Sequence, residues 1–223
     1  MRVEPLERAL DYHFQRPQLL KQALTHRSFS ADNNERLEFL GDSILNMVIA
    51  MALYQRFGSL REGDMSRLRA QLVRQDALQH VAELLDLGSF LSLGEGELKS
   101  GGHRRPSILA DALEAVFGAI YLDAGFEAVK RVVDSLYAEK LADLDPERSL
   151  KDPKTSLQEA LQARRLPLPQ YAMADERGEA HAREFEVHCV IDSLKIRTAG
   201  VGATRRIAEQ LAAAAALQKL ELA

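Results

Sequence analysis

An acidic stripe lies on a predicted helix that is otherwise strongly apolar. Glu35, Glu38 and Asp42 are three and then four residues apart, so their carboxylates share one face of a helix predicted over about residues 34–57. Like charges at this spacing repel, which costs folding roughly 0.2–0.5 kcal/mol per pair. Carboxylate oxygens on a rigid helix are the ligands that Mg²⁺ requires. The pattern therefore predicts a metal site, with a solvated acidic face as the alternative.

A second acidic pair interrupts another predicted apolar helix. Asp111 and Glu114 lie three residues apart in the apolar segment 107–122, and Ser107, directly after Pro106, marks the helix start. Charged groups on a helix directed toward the core are costly unless they are paired or bound to metal. Two such pairs on two apolar helices favour a metal cage over a surface stripe.

Composition limits the class of protein. The 223 residues allow one large or two smaller domains. We expect no membrane span, because no run of about 18 apolar residues is present, and residues 1–5 lack the apolar core of a signal peptide. The single cysteine, Cys189, cannot form an internal disulfide, which fits the reducing cytoplasm, and its alternating strand pattern predicts a buried position.

The chain changes character near residue 145. Residues 1–145 are predicted to be almost entirely helical, with further helices over 64–85 and 127–141. A polar, proline-containing linker follows. After it the pattern predicts helix 154–165, strands 170–176, 184–191 and 193–199, and helix 204–220.

Charge does not favour a generally basic nucleic-acid binder. The net charge is −4, made of −5 from residues 1–150 (18 basic, 23 acidic) and +1 from residues 151–223 (11 basic, 10 acidic). Any binding of nucleic acid must therefore depend on local basic clusters, and we expect it to weaken quickly with added salt.

These motifs together resemble the bacterial ribonuclease III family, endonucleases specific for double-stranded RNA. The resemblance rests on segments 23–29, 35–42, 62–67, 94–101 and 108–114. The α-β-β-β-α order after the linker, ending in segment 202–212, resembles a double-stranded-RNA-binding domain. It implies a multidomain α and α+β fold. An all-helical ribonuclease III catalytic domain would occupy 1–143, a linker 144–152, and an α-β-β-β-α double-stranded-RNA-binding domain 153–223.

The resemblance also implies the site residues. It assigns metal ligation to four carboxylates, Glu38, Asp42, Asp111 and Glu114, and adds Glu35 and Glu62 as acidic neighbours in the catalytic valley. Mg²⁺ is the expected ion and Mn²⁺ a plausible substitute, since both accept carboxylate oxygens. No organic cofactor is implied.

RNA contacts are implied in three places. Thr155, Gln158 and His181 would touch the minor groove. Thr204, Arg205 and Arg206 open the last helix, where the helix dipole and free N–H groups favour a phosphate. The loop after residue 94 carries a basic cluster beside the second acidic pair, made of Lys99, His103, Arg104 and Arg105. We interpret Lys99, Arg104 and Arg105 as phosphate contacts; the alternative is an ordinary polar loop.

The implied activity is metal-ion-dependent hydrolysis of phosphodiester bonds in duplex RNA. The family's products carry 5′-phosphate and 3′-hydroxyl ends with short 3′ overhangs, and its substrates are ribosomal RNA precursors and some mRNA and tRNA transcripts. Cutting both strands implies a homodimer, with Phe39 at its interface; otherwise Phe39 is ordinary core. One alternative is a non-cleaving double-stranded-RNA-binding or ribosome-associated factor. Another is a nucleotide phosphatase, but His13, His26, His80 and His103 show no ligand spacing.

Overall fold

The computed structural model describes residues 3–146, 151–177 and 183–221. The chain forms two compact units, Met1–Pro146 and Glu147–Ala223. In its described part the first unit consists of helices and loops, with an isolated β-bridge between Thr25 and Ser92. The second unit has the order α-β-β-β-α. The predicted fold class is therefore confirmed, and the division at residue 146 falls inside the predicted linker.

One long apolar helix organises the first unit. Pro106–Ala124 packs against four other helices, because its residues between Ile108 and Ile120 are almost all buried. The described helices of this unit are α1 (Glu4–Ala9), α2 (Pro17–Ala23), α3 (Glu35–Arg56), α4 (Glu62–Leu72), α5 (Gln75–Leu84), α6 (Glu95–Lys99), α7 (Pro106–Ala124) and α8 (Phe126–Ala142). The partners of α7 are α2, α3, α5 and α8.

The single helix predicted over 64–85 is wrong, because the chain breaks into α4 and α5 at Val73 and Arg74. Leu68 and Leu72 are buried, and one continuous helix would bury positions 75, 76 and 79 next, all of which are polar. The apolar residues instead fall at positions 78, 81, 82 and 85. Breaking the helix lets each half turn its own apolar stripe inward.

The backbones of α3 and α7 meet at two glycines. A β-carbon on Gly41 would overlap the carbonyl oxygen of Glu114 and lie 2.6 Å from its carbonyl carbon. A β-carbon on Gly118 would in turn overlap the carbonyl oxygen of Leu37. Only glycine permits this approach, which brings the acidic stripe of α3 beside the acidic pair of α7.

Helix α3 is also the one helix among the described residues that is long and apolar enough to cross a membrane by length and composition. The sequence pattern did not predict this property. Buried core helices meet the same criterion, and α3 packs along α7, with Leu45, Val48 and Ile49 among its buried residues. Only 39% of the most apolar 18-residue stretch of α3 is buried, so much of the surface of this helix remains open.

The second unit is a three-stranded antiparallel sheet packed against two helices. Its elements are α9 (Pro153–Ala163), β1 (Gln170–Arg177), β2 (Glu184–Ile191), β3 (Ile196–Gly202) and α10 (Arg205–Glu221), with strand order β1-β2-β3. Cys189 is fully buried in the core, as predicted. Strand β3 starts three residues later than predicted, because residues 192–194 form a 3₁₀ turn that ends at Lys195 with φ of 54°.

Candidate metal centre and RNA-binding surface

Three of the predicted carboxylates form a compact cluster. Glu38 on α3 and Asp111 and Glu114 on α7 each offer an oxygen, and these oxygens lie within 4.8 Å of one another. The three side chains are neither fully buried nor fully exposed. The close crossing of α3 and α7 at Gly41 produces this cluster, because it brings the acidic faces of the two helices together.

The cluster is electrostatically strained. Burial raises the pKa of Glu114 to about 8, with further contributions from Asp42, Glu38 and Asp111. Burial also raises the pKa of Glu38, followed by repulsion from Asp111, and burial raises the pKa of Asp111. Among the described residues, every charged group that shifts the pKa of Glu114 is acidic. Such a donor set fits a bound divalent cation, whose charge would offset the repulsion.

Asp42 lies at the edge of this cluster. It is exposed on α3, and one of its carboxylate oxygens accepts a hydrogen bond from Asn46 Nδ2 at 2.8 Å. Its charge is nevertheless close enough to raise the pKa of Glu114. The structure therefore brings three of the four predicted ligands tightly together and leaves the fourth beside them.

A cavity opens beside the cluster and contains residues that the sequence reasoning did not assign. Arg27 Nη1 lies 3.4 Å from Glu35 Oε1, and Arg105 Nη1 lies 2.6 Å from Glu97 Oε1. The lining residues without an assigned role are His26, Arg27, Asn34, Glu97, Ser107 and Ile108. His26, Arg27 and Glu97 lie in segments 23–29 and 94–101, which carry part of the family resemblance. A residue-by-residue comparison of these segments with the family could have assigned these three residues to the site.

Asn34 shows how this cavity is built. Its backbone N–H donates to Thr25 O at 2.9 Å, and its carbonyl accepts from Glu38 N at 2.9 Å. Although polar, Asn34 is buried. These bonds fix the first turn of α3 against the preceding loop, so that Glu35 and Glu38 face the cavity together.

The predicted basic cluster does not act as one surface. Arg105 lines the acidic cavity, whereas Arg104 lines a separate cavity with Glu83 and Asp86. Lys99 is exposed, with Nζ 3.5 Å from Glu95 Oε2. Of the three basic residues, Arg105 is the one that the fold brings to the carboxylates.

Glu62 also lies away from the cluster. It is on α4, accepts a hydrogen bond from Ser66 Oγ at 2.7 Å, and lines a cavity between α3 and α4 together with Leu53 and Tyr54. Within one protomer it does not reach the cavity that contains Glu38, so its role there stays a prediction.

The open face of α3 carries a row of large apolar side chains. Phe39, Met47 and Tyr54 are 78%, 55% and 73% exposed, at positions that repeat along one side of the helix. The alternative in which Phe39 is ordinary core is therefore wrong for the isolated protomer. The cavity that contains Glu62 is also lined largely by apolar residues, among them Ala50, Leu53 and Tyr54 of α3.

In the second unit, the predicted RNA contacts are on two helix starts. Thr155 and Gln158 are exposed on α9, whereas Leu157 between them is buried. Thr204 caps α10, accepting from Ile207 N at 3.2 Å, and Arg205 and Arg206 follow it, both exposed. His181 lies outside the described residues.

An ion-pair network that was not predicted joins these two helix starts. Glu209 binds Lys154 Nζ at 2.6 Å and Arg205 Nε at 2.9 Å, and the hydrogen bond from Lys154 is the main cause of its lowered pKa. Asp152 caps α9 and also accepts from Gln210 Nε2 at 2.7 Å. These contacts hold the start of α9 beside the first turns of α10, so both sets of predicted contacts lie near each other.

Comparison with known proteins agrees with this architecture. A family model described as Ribonuclease-III-like matches residues 16–141, and one described as a double-stranded RNA binding motif matches residues 153–220. The Ribonuclease 3 of Aromatoleum aromaticum is 63% identical over 98% of this chain and 97% of its own length. That of Cupriavidus pinatubonensis is 54% identical over 99% of this chain and 86% of its own length.

The helical unit also resembles solved structures. The nuclease domain of ribonuclease III from Campylobacter jejuni is 45% identical with a TM-score of 0.62, over 65% of this chain and 99% of that domain. A second structure of that domain is 46% identical with a TM-score of 0.61, over 62% of this chain and 97% of that one. It shows structural flexibility in a region of that domain involved in dimer formation. The chain therefore belongs to the ribonuclease III family of endoribonucleases that act on double-stranded RNA.

Proposed function

We propose that this endoribonuclease hydrolyses duplex RNA by a divalent-metal mechanism. It would leave 5′-phosphate and 3′-hydroxyl ends with short 3′ overhangs. Its proposed substrates are ribosomal RNA precursors and some mRNA and tRNA transcripts, and its proposed compartment is the cytoplasm. The observation that carries the proposal is the cluster of Glu38, Asp111 and Glu114, whose oxygens lie within 4.8 Å of one another.

Glu38, Asp111 and Glu114 would hold the metal, with Asp42 completing the set from the edge of the cluster. Mg²⁺ is the proposed ion and Mn²⁺ a substitute. Bound there, such ions supply Lewis-acid stabilisation of phosphate oxygens and an activated water. Arg27 and Arg105 line the same cavity and would contact the RNA backbone, while their ion pairs with Glu35 and Glu97 hold them in place.

We further propose a homodimer formed through the open face of α3. Phe39, Met47 and Tyr54 expose an apolar row that a second copy of this chain would cover. The related Campylobacter jejuni nuclease domain has a region involved in dimer formation, which supports this choice of occupant. Two copies would bring two catalytic clusters to one duplex, as cutting both strands requires.

The decisive experiment is incubation of the protein with a labelled RNA hairpin. We expect cleavage of the duplex stem in Mg²⁺, none in EDTA, and none of a single-stranded RNA of the same composition. End analysis should find 5′-phosphates and 3′-hydroxyls. Staggered cuts on the two strands would support two active sites working across one duplex.

The alternative function predicts a different result. A non-cleaving duplex-binding factor would retard the hairpin in a gel and leave it intact at every Mg²⁺ concentration. That outcome would overturn the proposed metal mechanism.

The first prediction concerns the dimer. Phe39→Ala should raise the dimer dissociation constant by roughly thirtyfold or more, because removing an aromatic anchor that is buried in an interface typically costs about 2 kcal/mol or more. Sedimentation velocity at low micromolar concentration measures the effect. The matched control is Leu84→Ala, since Leu84 is 72% exposed on α5. Equal sedimentation of both variants and the parent protein would reject the α3 interface.

A second prediction concerns the duplex-binding surface. Replacing Arg205 and Arg206 together by alanine should weaken binding to duplex RNA in EDTA and reduce the slope of log affinity against log salt by about 2, because each arginine would otherwise neutralise one phosphate. Titrations at several KCl concentrations provide the slope. Arg164→Ala is the control, because Arg164 is exposed at the opposite end of α9. A salt slope that does not change would show that these arginines bind no phosphate.

A further inference from the structure

A histidine, His26, lies among the charged residues that line the acidic cavity. This cavity has a volume of about 270 Å³, and two members of the acidic cluster, Glu38 and Asp111, line it as well. Burial raises the pKa of Asp111, and the nearness of His26, followed by that of Arg27, opposes this rise. His26 therefore shares one open space with the proposed metal centre.

Hydrogen bonds determine which nitrogen of the His26 ring carries the proton. The backbone N–H of Ser28 donates to Nδ1 at 3.2 Å, so Nδ1 is an acceptor and carries no hydrogen. Ser28 Oγ lies 2.8 Å from the same nitrogen and accepts from Gly94 N at 2.9 Å, which leaves its own proton for Nδ1. The neutral imidazole must then carry its hydrogen on Nε2.

The other polar groups of His26 are engaged as well, except Nε2. The backbone N–H donates to Ser92 O at 3.0 Å, and the carbonyl accepts from Phe29 N at 2.9 Å. Among the described residues Nε2 has no hydrogen-bond partner. The polar group that His26 has left for a ligand in this cavity is therefore a single N–H donor, on a ring that Ser28 holds in place.

The charges around the cavity indicate which ligand this donor would meet. Arg27 and Arg105 line the same cavity, so it offers two cationic groups beside the acidic cluster. A phosphate oxygen accepts hydrogen bonds from N–H groups, and bonds to an ionised acceptor are roughly twice as strong as neutral ones. A phosphate of the RNA backbone is therefore the group in the proposed substrate that best matches these donors.

We infer that His26 is a substrate-contacting residue, whose Nε2–H donates to a phosphate oxygen of the RNA backbone in the acidic cavity. Ser28 is its positioning residue, because its bonds to Nδ1 fix both the ring and the tautomer. The inference rests on the proposed function, since the phosphate reaches this cavity only when duplex RNA is bound at the metal centre. A neutral donor can hold a phosphate there without pairing with the carboxylates that the metal requires.

The test compares two substitutions that divide the hydrogen bonds of His26. His26→Asn keeps an acceptor near the position of Nδ1 for Ser28 and loses the donor. His26→Gln is long enough to place an amide N–H near the position of Nε2. We expect kcat/KM for hairpin cleavage in saturating Mg²⁺ to fall about tenfold or more in His26→Asn, as loss of a hydrogen bond to a charged group typically causes. His26→Gln should recover most of that loss.

Two further measurements separate contact with RNA from other roles. The affinity of the RNA-free protein for Mn²⁺, measured by calorimetry, should be unchanged in His26→Asn, and the unfolding midpoint in EDTA should fall by no more than about 2 °C. His13→Asn is the matched control. His13 Nδ1 also contacts a side-chain oxygen, Glu7 Oε2 at 3.0 Å, but its side chain is 87% exposed and lies outside the acidic cavity. This variant should cleave like the parent protein.

The possible outcomes distinguish the inference from the proposed function. If the parent protein cleaves the hairpin and His26→Asn cleaves equally well, the proposed function stands and the role of His26 is rejected. An equal loss of activity in both His26 variants would overturn the inference, because the donor would then not be the group that matters. Weaker Mn²⁺ binding by His26→Asn would place its effect on the metal centre and also overturn the inference. If the parent protein does not cleave duplex RNA, the proposed function fails, and the inference with it.

Discussion

Glu114→Gln is expected to abolish cleavage of duplex RNA while leaving duplex binding nearly intact. The substitution keeps the shape of the side chain but removes one carboxylate from a cluster whose oxygens lie within 4.8 Å of one another. Loss of a ligand charge should lower the cleavage rate by a factor on the order of a thousand, equivalent to about 4 kcal/mol. Hairpin cleavage in saturating Mg²⁺ and gel retardation in EDTA measure the two properties separately.

The same variant should be more stable than the parent protein when metal is removed. The pKa of Glu114 is raised from its ordinary 4.5 to about 8, mainly by burial and then by Asp42 and Glu38. Its contribution to stability is therefore fully present below pH 4.5 and is lost as pH rises through about 8. Glutamine cannot ionise, so Glu114→Gln should unfold a few degrees higher than the parent at about pH 8.5 in EDTA, with a smaller difference at about pH 5.5.

Glu139→Gln is the control for both measurements, because Glu139 is an exposed carboxylate on α8. It should cleave and unfold like the parent protein. Normal cleavage by Glu114→Gln in saturating Mg²⁺ would exclude Glu114 as a ligand. An unchanged pH dependence of unfolding would instead mean that its carboxylate is not strained in the metal-free protein.

Gly41→Ala should destabilise the first unit and disrupt the metal centre together. The added β-carbon would overlap the Glu114 carbonyl oxygen, which belongs to a helix backbone and cannot rotate away. Helices α3 and α7 must then separate, and we expect a loss on the order of 3 kcal/mol or more. The better helix propensity of alanine offsets only about 1 kcal/mol of this. Urea unfolding followed by circular dichroism, with Mn²⁺ calorimetry on the folded fraction, measures both effects.

Gly63→Ala is the matched control, since Gly63 lies in α4 and a β-carbon there meets no heavy atom within 4 Å among the described residues. That variant should gain up to about 1 kcal/mol from alanine's helix propensity. The two glycine substitutions therefore have opposite expected signs. A Gly41→Ala protein as stable as Gly63→Ala would mean that the α3–α7 crossing is looser than described.

Local sequence patterns predicted most elements because each pattern reflects one buried face. The helix carrying Glu35, Glu38 and Asp42 was predicted within about one residue at each end, and strand β2 agrees with its predicted bounds. The break between α4 and α5 was missed, because it depends on which positions the rest of the unit buries. The late start of β3 was missed for a related reason, since Lys195 adopts a left-handed conformation that its residue type does not signal.

The acidic cluster could likewise be predicted only in part. Sequence spacing placed Glu38 on one helical face and Asp111 with Glu114 on another, and family resemblance joined the two sets. The pairing of Arg105 with Glu97, and the burial of Asn34 against Thr25, could not be predicted from helical spacing, because the partners belong to different elements that the folded chain brings together. The ion pair between Lys154 and Glu209 was not predicted either, because the two residues are 55 positions apart in the sequence.

The two-part architecture, the acidic faces of α3 and α7 and the basic start of the last helix could all be predicted from the amino-acid sequence. These features are periodic or contiguous, so local physics is enough to specify them. The tertiary structure decided which acids meet, because Gly41 and Gly118 let the backbones of α3 and α7 touch. It also decided that Arg105 rather than Arg104 faces the acids, and that Phe39 stays exposed. Those outcomes depend on packing between distant segments, which no local pattern encodes.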